Sequence, residues 1–193
     1  MNLEDLNSIF SHAKDKKIVV IGDIMLDRYL LGNVTRISPE APVQVFDIGT
    51  SENKLGGAAN VAYNIKTLGA EPLLIGVCGN DDDAKILKNV FDGLGISNDG
   101  IICEENRMTT CKTRVIAAAH HLIRIDSESR TNISEESNKN ILALLEQNKN
   151  DFEIIILEDY NKGVLTKSLI QSVIDFSKKN NKNNLVVINL IGS

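Results

Sequence analysis

The sequence predicts an α/β domain built on a mostly parallel β-sheet flanked by helices, with a small accessory β-sheet beside it. Three observations predict this. Short continuous apolar runs alternate with helical patterns, as in βα units whose strands are covered on both faces. The helical patterns carry start or stop residues at the expected places. Two stretches, about 25–50 and 108–126, hold β-rich segments such as "VQVFDI" and "TCKTRVIAAA" without a helical stripe, and are too long for connecting loops.

The runs "KIVVIGD" (17–23), "PLLIGVCG" (72–79), "FEIIILED" (152–159) and "LVVINL" (185–190) are β-branched or Leu-rich and read as buried strands. In 58–68, Ala58, Val61, Ala62, Ile65 and Leu68 recur at helical spacing, and Gly69 stands where a left-handed residue closes a helix. In 82–94, Ile86, Leu87, Val90, Phe91 and Leu94 form a second stripe. Asp81, Asp82 and Asp83 sit at its positive start and Gly95 follows its end. Ser134 is placed to cap a third helix carrying Ile141, Leu142, Leu144 and Leu145. Thr166 is placed to cap a fourth carrying Leu169, Ile170, Val173 and Ile174. The basic run Lys178, Lys179 and Lys182 reads as a solvated loop.

With 193 residues, 42% hydrophobic and 24% charged, the chain can bury a sizeable core in one or at most two domains, and no repeat or linker interrupts it. A formal net charge of −5 argues against a nucleic-acid surface. Cys78, Cys103 and Cys111 have no CxxC spacing, so neither a disulfide framework nor a zinc site is expected, and the compartment reads as reducing. The first 16 residues lack a long apolar core and no later run is long enough to span a membrane, so a cytoplasmic location without membrane partners is expected. No GxxxxGK[ST], no GxGxxG after the first strand and no GxSxG is present.

Ligands of open parallel sheets bind beyond the carboxyl ends of the strands, so the residues there are the candidates. Asp23 and Asp27 follow the first strand, Glu158 and Asp159 close the third run, and Gly56-Gly57 opens a helix. The aspartates fit either hydroxyls of a polyol or sugar, or simple turn formation. The glycine pair fits either close approach of a ligand to free N–H groups, or a tight chain crossing. Asn60 and Asn64 lie one turn apart, off the apolar stripe, and one can face the same mouth. Arg124 and Asp126 in "HHLIRID" share one strand face, as a surface ion pair or as site residues. Lys162 in "DYNKG" suits a phosphate or plain solvent. His120 and His121 have no metal-ligand spacing, so no metal site is expected.

Taken together, "VVIGDIMLDRYLLGNVTRISPEAPVQVF", "GGAANVAYNIKTLGA", "HHLIRID" and "LEDYNKGVLT" resemble the ribokinase-like (PfkB) carbohydrate kinases, from about Lys17 to Ile188. The combination of GDxMLDxY, RISPEAP, GGAANVAxN and LIRxD is most similar to the heptose-7-phosphate kinase domains of bifunctional heptose kinase/adenylyltransferases of lipopolysaccharide core synthesis. The resemblance implies a ribokinase-like fold with a β-sheet lid over a sugar phosphate. It also implies ATP and Mg²⁺ as cofactors, phosphorylation at C1 of D-glycero-β-D-manno-heptose 7-phosphate, and a homodimer through the lid strands.

Carried over by residue, Asp23 and Asp27 match the first sugar-binding motif. Gly56, Gly57 and Asn60 match the glycine-rich substrate motif. Arg124 matches the lid arginine, and Asp159 and Lys162 match the DYxKG segment. The family's GAGD base and most of its nucleotide pocket are expected beyond Ser193, and Asn189-Leu190 stand where relatives read Asp-Pro. Residues 1–193 are therefore expected to be the N-terminal portion of one such domain, inactive alone and restored by a complementing C-terminal fragment. The alternatives are a non-catalytic sugar-phosphate-binding or dimerising remnant, and a kinase for another sugar.

Overall fold

A computed structural model describes residues 16–188 together with Ser11, Ala13 and Lys14. Asn189 and Leu190, the end of the last expected strand, lie outside the described residues, as does most of the expected polar N-terminal segment.

Five strands form a parallel sheet in the order β5-β4-β1-β8-β9: β1 (Lys17–Gly22), β4 (Glu71–Gly79), β5 (Ile101–Glu104), β8 (Phe152–Asp159) and β9 (Asn183–Ile188). Strand β5 was not expected. It is a four-residue edge strand, IICE, too short to show a period.

Helices α1 (Ala58–Thr67) and α2 (Asp82–Gly93) cover one face of the sheet, while α3 (Glu135–Gln147) and α4 (Lys167–Lys179) cover the other. Successive strand residues therefore feed separate cores. Val20 packs with Ala62, Leu74, Leu87 and Phe91, and its neighbours Val19 and Ile21 pack with Ile141, Leu145, Leu169 and Val173. Both faces being covered is why the strands read as unbroken apolar runs.

The caps lie where the sequence puts them. Asp81 Oδ1 accepts from Ala84 N at 2.9 Å, Ser134 Oγ from Ser137 N at 3.1 Å and Thr166 Oγ1 from Leu169 N at 3.1 Å. Gly69 and Gly95 have φ of +92° and +64°. Lys178 and Lys179 correct one expectation: they form the last turn of α4 rather than a loop, where positive charge suits the helix end.

The two irregular stretches form a second, four-stranded sheet in the order β3-β2-β6-β7: β2 (Ile24–Ile37), β3 (Gln44–Gly57), β6 (Cys111–Ala117) and β7 (His120–Ser127). β2 pairs antiparallel with β3 and parallel with β6, and β6 pairs antiparallel with β7. Only Asp23 separates β1 from β2, and β3 runs directly into α1. The accessory sheet thus springs from the carboxyl end of the parallel sheet and encloses a space there. No described helix is long and apolar enough to cross a membrane.

Candidate functional site

A cavity of about 370 Å³ opens where the accessory sheet meets the carboxyl ends of the parallel strands. Asp27, Gly56, Gly57, Asn60, Arg124 and Lys162, six of the expected site residues, line it. Asp23 and Asp159 do not, and neither does Asn64.

Asp23 is 1% exposed, at the residue where the chain passes from one sheet to the other. Its Oδ2 accepts from Tyr160 N at 2.8 Å and Lys162 N at 3.1 Å, and its Oδ1 from Val164 N at 3.2 Å. Burial pushes its pKa up, against the pull of those three N–H donors. The carboxylate thereby shapes the loop after β8 and sets where Lys162 projects. Asp159 acts locally, its Oδ1 accepting from Asn161 N at 2.8 Å.

The geometry at the glycine pair is that of a tight chain crossing. Gly57 has φ +56°, and a Cβ there would lie 2.2 Å from the Asp23 carbonyl oxygen, whose partner is Ala58 N at 3.0 Å. A Cβ on Gly56 would lie 2.8 Å from Asp27 Oδ2. The tight crossing is what keeps this wall of the cavity free of side chains.

The other walls come from strand register. In one row across the accessory sheet Asp27 lies beside Lys112, which faces Asp126; in the next, Tyr29 lies beside Arg114, which faces Arg124. Two arginines directly opposed would repel. Each is held by a carboxylate in the neighbouring row: Arg114 pairs with Asp27, and Arg124 makes a bidentate pair with Asp126 at 2.9 and 3.1 Å. The Arg114 guanidinium also lies 5.3 Å from the Tyr29 ring centroid.

Behind them Glu128 gathers Lys162 at 3.0 Å, Arg130 at 2.8 Å and Lys112 at 3.5 Å. Burial pushes the Glu128 carboxyl up, but Lys162 and Arg130 outweigh it and hold it below the usual range. Asp126 is likewise held low, with Arg124 and Lys112 overcoming its burial.

Lys112, Arg114, Arg124, Arg130 and Lys162 thus meet in a lining with two carboxylates, Asp27 and Asp126. An excess of fixed positive charge in a concave site attracts an anion, and carboxylates beside it accept hydroxyl hydrogens. Sequence reasoning missed Lys112, Arg114 and Arg130. The first two carried a usable signal, being two residues apart on a β-rich segment, as Arg124 and Asp126 are. Arg130 lies in a loop and carried none. Among the described residues no group of three or more His, Cys, Asp or Glu side chains is placed to hold a metal ion.

Residues 15–189 match the family model described as pfkB family carbohydrate kinase. The chain is 43% identical over 179 residues to "Bifunctional protein HldE" of Geobacter sulfurreducens, covering 93% of this chain and 36% of that protein. It is 45% identical over 174 residues to the protein of the same name from Aliarcobacter butzleri, covering 90% and 37%. It therefore spans about a third of the length of these relatives. Among solved structures, a carbohydrate kinase from Agrobacterium tumefaciens superposes with a TM-score of 0.62 at 19% identity, covering 89% of this chain and 53% of that one. The ribokinase of Arabidopsis thaliana, complexed with ribose and ATP, gives 0.61 at 16% identity, with coverage of 89% and 53%. The last two likenesses concern the ribokinase-like fold. With the family match running through both sheets and every candidate site residue, the chain belongs to the pfkB family of carbohydrate kinases.

Proposed function

We propose that this chain provides the sugar-phosphate site of an ATP- and Mg²⁺-dependent sugar kinase that phosphorylates C1 of D-glycero-β-D-manno-heptose 7-phosphate. The observation that carries the reading is the cavity lining, where five cations meet two carboxylates beside a wall of bare glycine backbone. The cations suit the phosphate of a sugar phosphate and the carboxylates suit its hydroxyls. Asn60 adds an amide that can both donate and accept. Asp23 and Asp159 act in this reading through the loop that carries Lys162, and the accessory sheet serves as the lid of one kinase domain. Family membership and the HldE relatives support the sugar kinase and the choice of heptose. ATP and Mg²⁺ rest on the family, and no chemical step is assigned to them from these residues.

Calorimetric titration tests this with the chain as it is. D-glycero-β-D-manno-heptose 7-phosphate is expected to bind saturably, and the unphosphorylated heptose at least about tenfold more weakly, since a charge-assisted contact contributes about 1.5–3 kcal/mol. Arg114→Ala should weaken the phosphorylated ligand by a similar factor. Equal affinity for both sugars, or no binding of either, would sink the reading.

A further inference from the structure

The short edge strand β5 places Cys103 directly opposite Cys78 of β4 in the parallel ladder. Facing residues on neighbouring strands point to the same side of the sheet, and strands lie about 4.8 Å apart. That separation falls within the Cα range a disulfide spans, roughly 4.4–6.8 Å. The two sulfurs are 3.5 Å apart, in contact but unbonded. A third group completes the cluster: Lys88 of α2 brings its Nζ to 3.2 Å from Cys103 Sγ. The two thiols differ in access. Cys103 is exposed, whereas Cys78 is 1% exposed in the core under α2. None of these three side chains lines the sugar-phosphate cavity.

We propose that Cys78 and Cys103 are a peroxide-oxidisable thiol pair that closes to a reversible disulfide, with Lys88 stabilising the attacking Cys103 thiolate. An ammonium beside a solvent-facing sulfur is the setting that favours thiolate and selective oxidation. The Cys103 thiolate attacks one oxygen of hydrogen peroxide, an S–O bond forms, the O–O bond breaks and hydroxide leaves. Sulfur is oxidised to the sulfenic acid and peroxide is reduced. Cys78 then attacks the Cys103 sulfur, the S–S bond forms, the S–O bond breaks, and the departing hydroxide takes the Cys78 proton as water. The proton that Cys103 released on ionising neutralises the first hydroxide, so the sum is two thiols and one peroxide giving one disulfide and two waters.

Burial pushes the Cys78 thiol up to about 12, with the neighbouring Cys103 adding to the rise, so the order of attack runs from Cys103 to Cys78. In a reducing compartment such a bond is transient, as befits a sensor rather than a structural staple. It would tie the edge strand to its neighbour one residue before Glu104, which holds the start of α3.

Trypsin places the three cysteines in separate peptides, Thr67–Lys85, Asn89–Arg107 and Met108–Lys112, so the linkage can be read directly. The purified chain is treated with a small excess of hydrogen peroxide, alkylated and mapped by mass spectrometry without reduction. The expected product joins the first two peptides, is reversed by dithiothreitol and is absent from Cys103→Ser. Lys88→Gln should slow its formation by about threefold or more. Three results would each overturn the proposal: Cys103 halting as a sulfenic or sulfinic acid while Cys78 stays alkylatable, a linkage through Cys111, or no cysteine oxidation. A rate unchanged in Lys88→Gln would overturn the role given to the lysine.

Discussion

Two aspartates four residues apart, Asp23 and Asp27, look alike in sequence and do different work. Asp27 projects from β2 into the cavity and is held there by Arg114. Asp23 is enclosed and fully occupied by three backbone donors 137 to 141 residues away. Removing its carboxylate leaves those N–H groups unpaired, those of Lys162 and Val164 buried and that of Tyr160 half-buried. Each such loss costs about 1–3 kcal/mol, so Asp23→Ala is expected to lose about 3 kcal/mol or more. Urea titration checks this, and a loss below about 1 kcal/mol would mean that the loop after β8 is held by something else. The glycine pair beside them was legible as a place of close approach. What approaches became visible only with the Asp23 carbonyl oxygen against Gly57.

At the scale of elements, helices α1 and α2 were read nearly to their ends and α3 and α4 by their caps and apolar stripes, because helix periodicity and caps are properties of neighbouring residues. The accessory strands were harder. β2 and β3 run 14 residues each, with register shifts between Leu31 and Gly32 and between Val34 and Arg36, so their alternation drifts. The hairpin joining β6 and β7 turns at Ala118 and Ala119, with φ of +46° and +65°. Two-residue hairpin turns of this hand favour Asn-Gly, and alanine has no side chain to ease the left-handed conformation. The double change Ala118→Asn, Ala119→Gly is therefore expected to stabilise the hairpin by about 1–2 kcal/mol. Slower amide hydrogen exchange in β6 and β7 would register it, and faster exchange would refute it.

Across the whole molecule, contacts beyond the carboxyl ends of the parallel strands tie β5 to the start of α3 and to the loops after β7 and β8. Glu104, at the end of β5, accepts from Ser134 N at 2.8 Å and from Ser137 Oγ at 2.6 Å on one oxygen, and from Arg107 Nε at 3.0 Å on the other. Arg107 in turn donates to the Lys162 carbonyl at 3.1 Å and the Thr131 carbonyl at 2.6 Å. Burial pushes the Glu104 carboxyl up, yet the donors from Ser137, Ser134 and Arg107 outweigh it and bring it down from 4.5 to about 2. A carboxyl depressed in the folded state adds stability that is fully present above about 4.5 and is lost as pH falls toward 2. Between pH 5 and pH 3 the urea midpoint of the wild type should therefore fall more steeply than that of Glu104→Gln. Parallel slopes would remove Glu104 from the account.

The sequence by itself determined the α/β class, the helices with their caps, the covered strands and the family, because each follows from patterns within a few neighbouring residues or from short motifs. Tertiary structure alone decided the four-residue strand β5, the division of labour between Asp23 and Asp27, and the meeting of Lys112, Arg114 and Arg130 with Lys162. These depend on register and on contacts between distant residues, such as the 87 positions separating Asp27 from Arg114. Packing the accessory sheet against the strand ends selects one register, and a slip of one residue would turn the charged row away from the cavity.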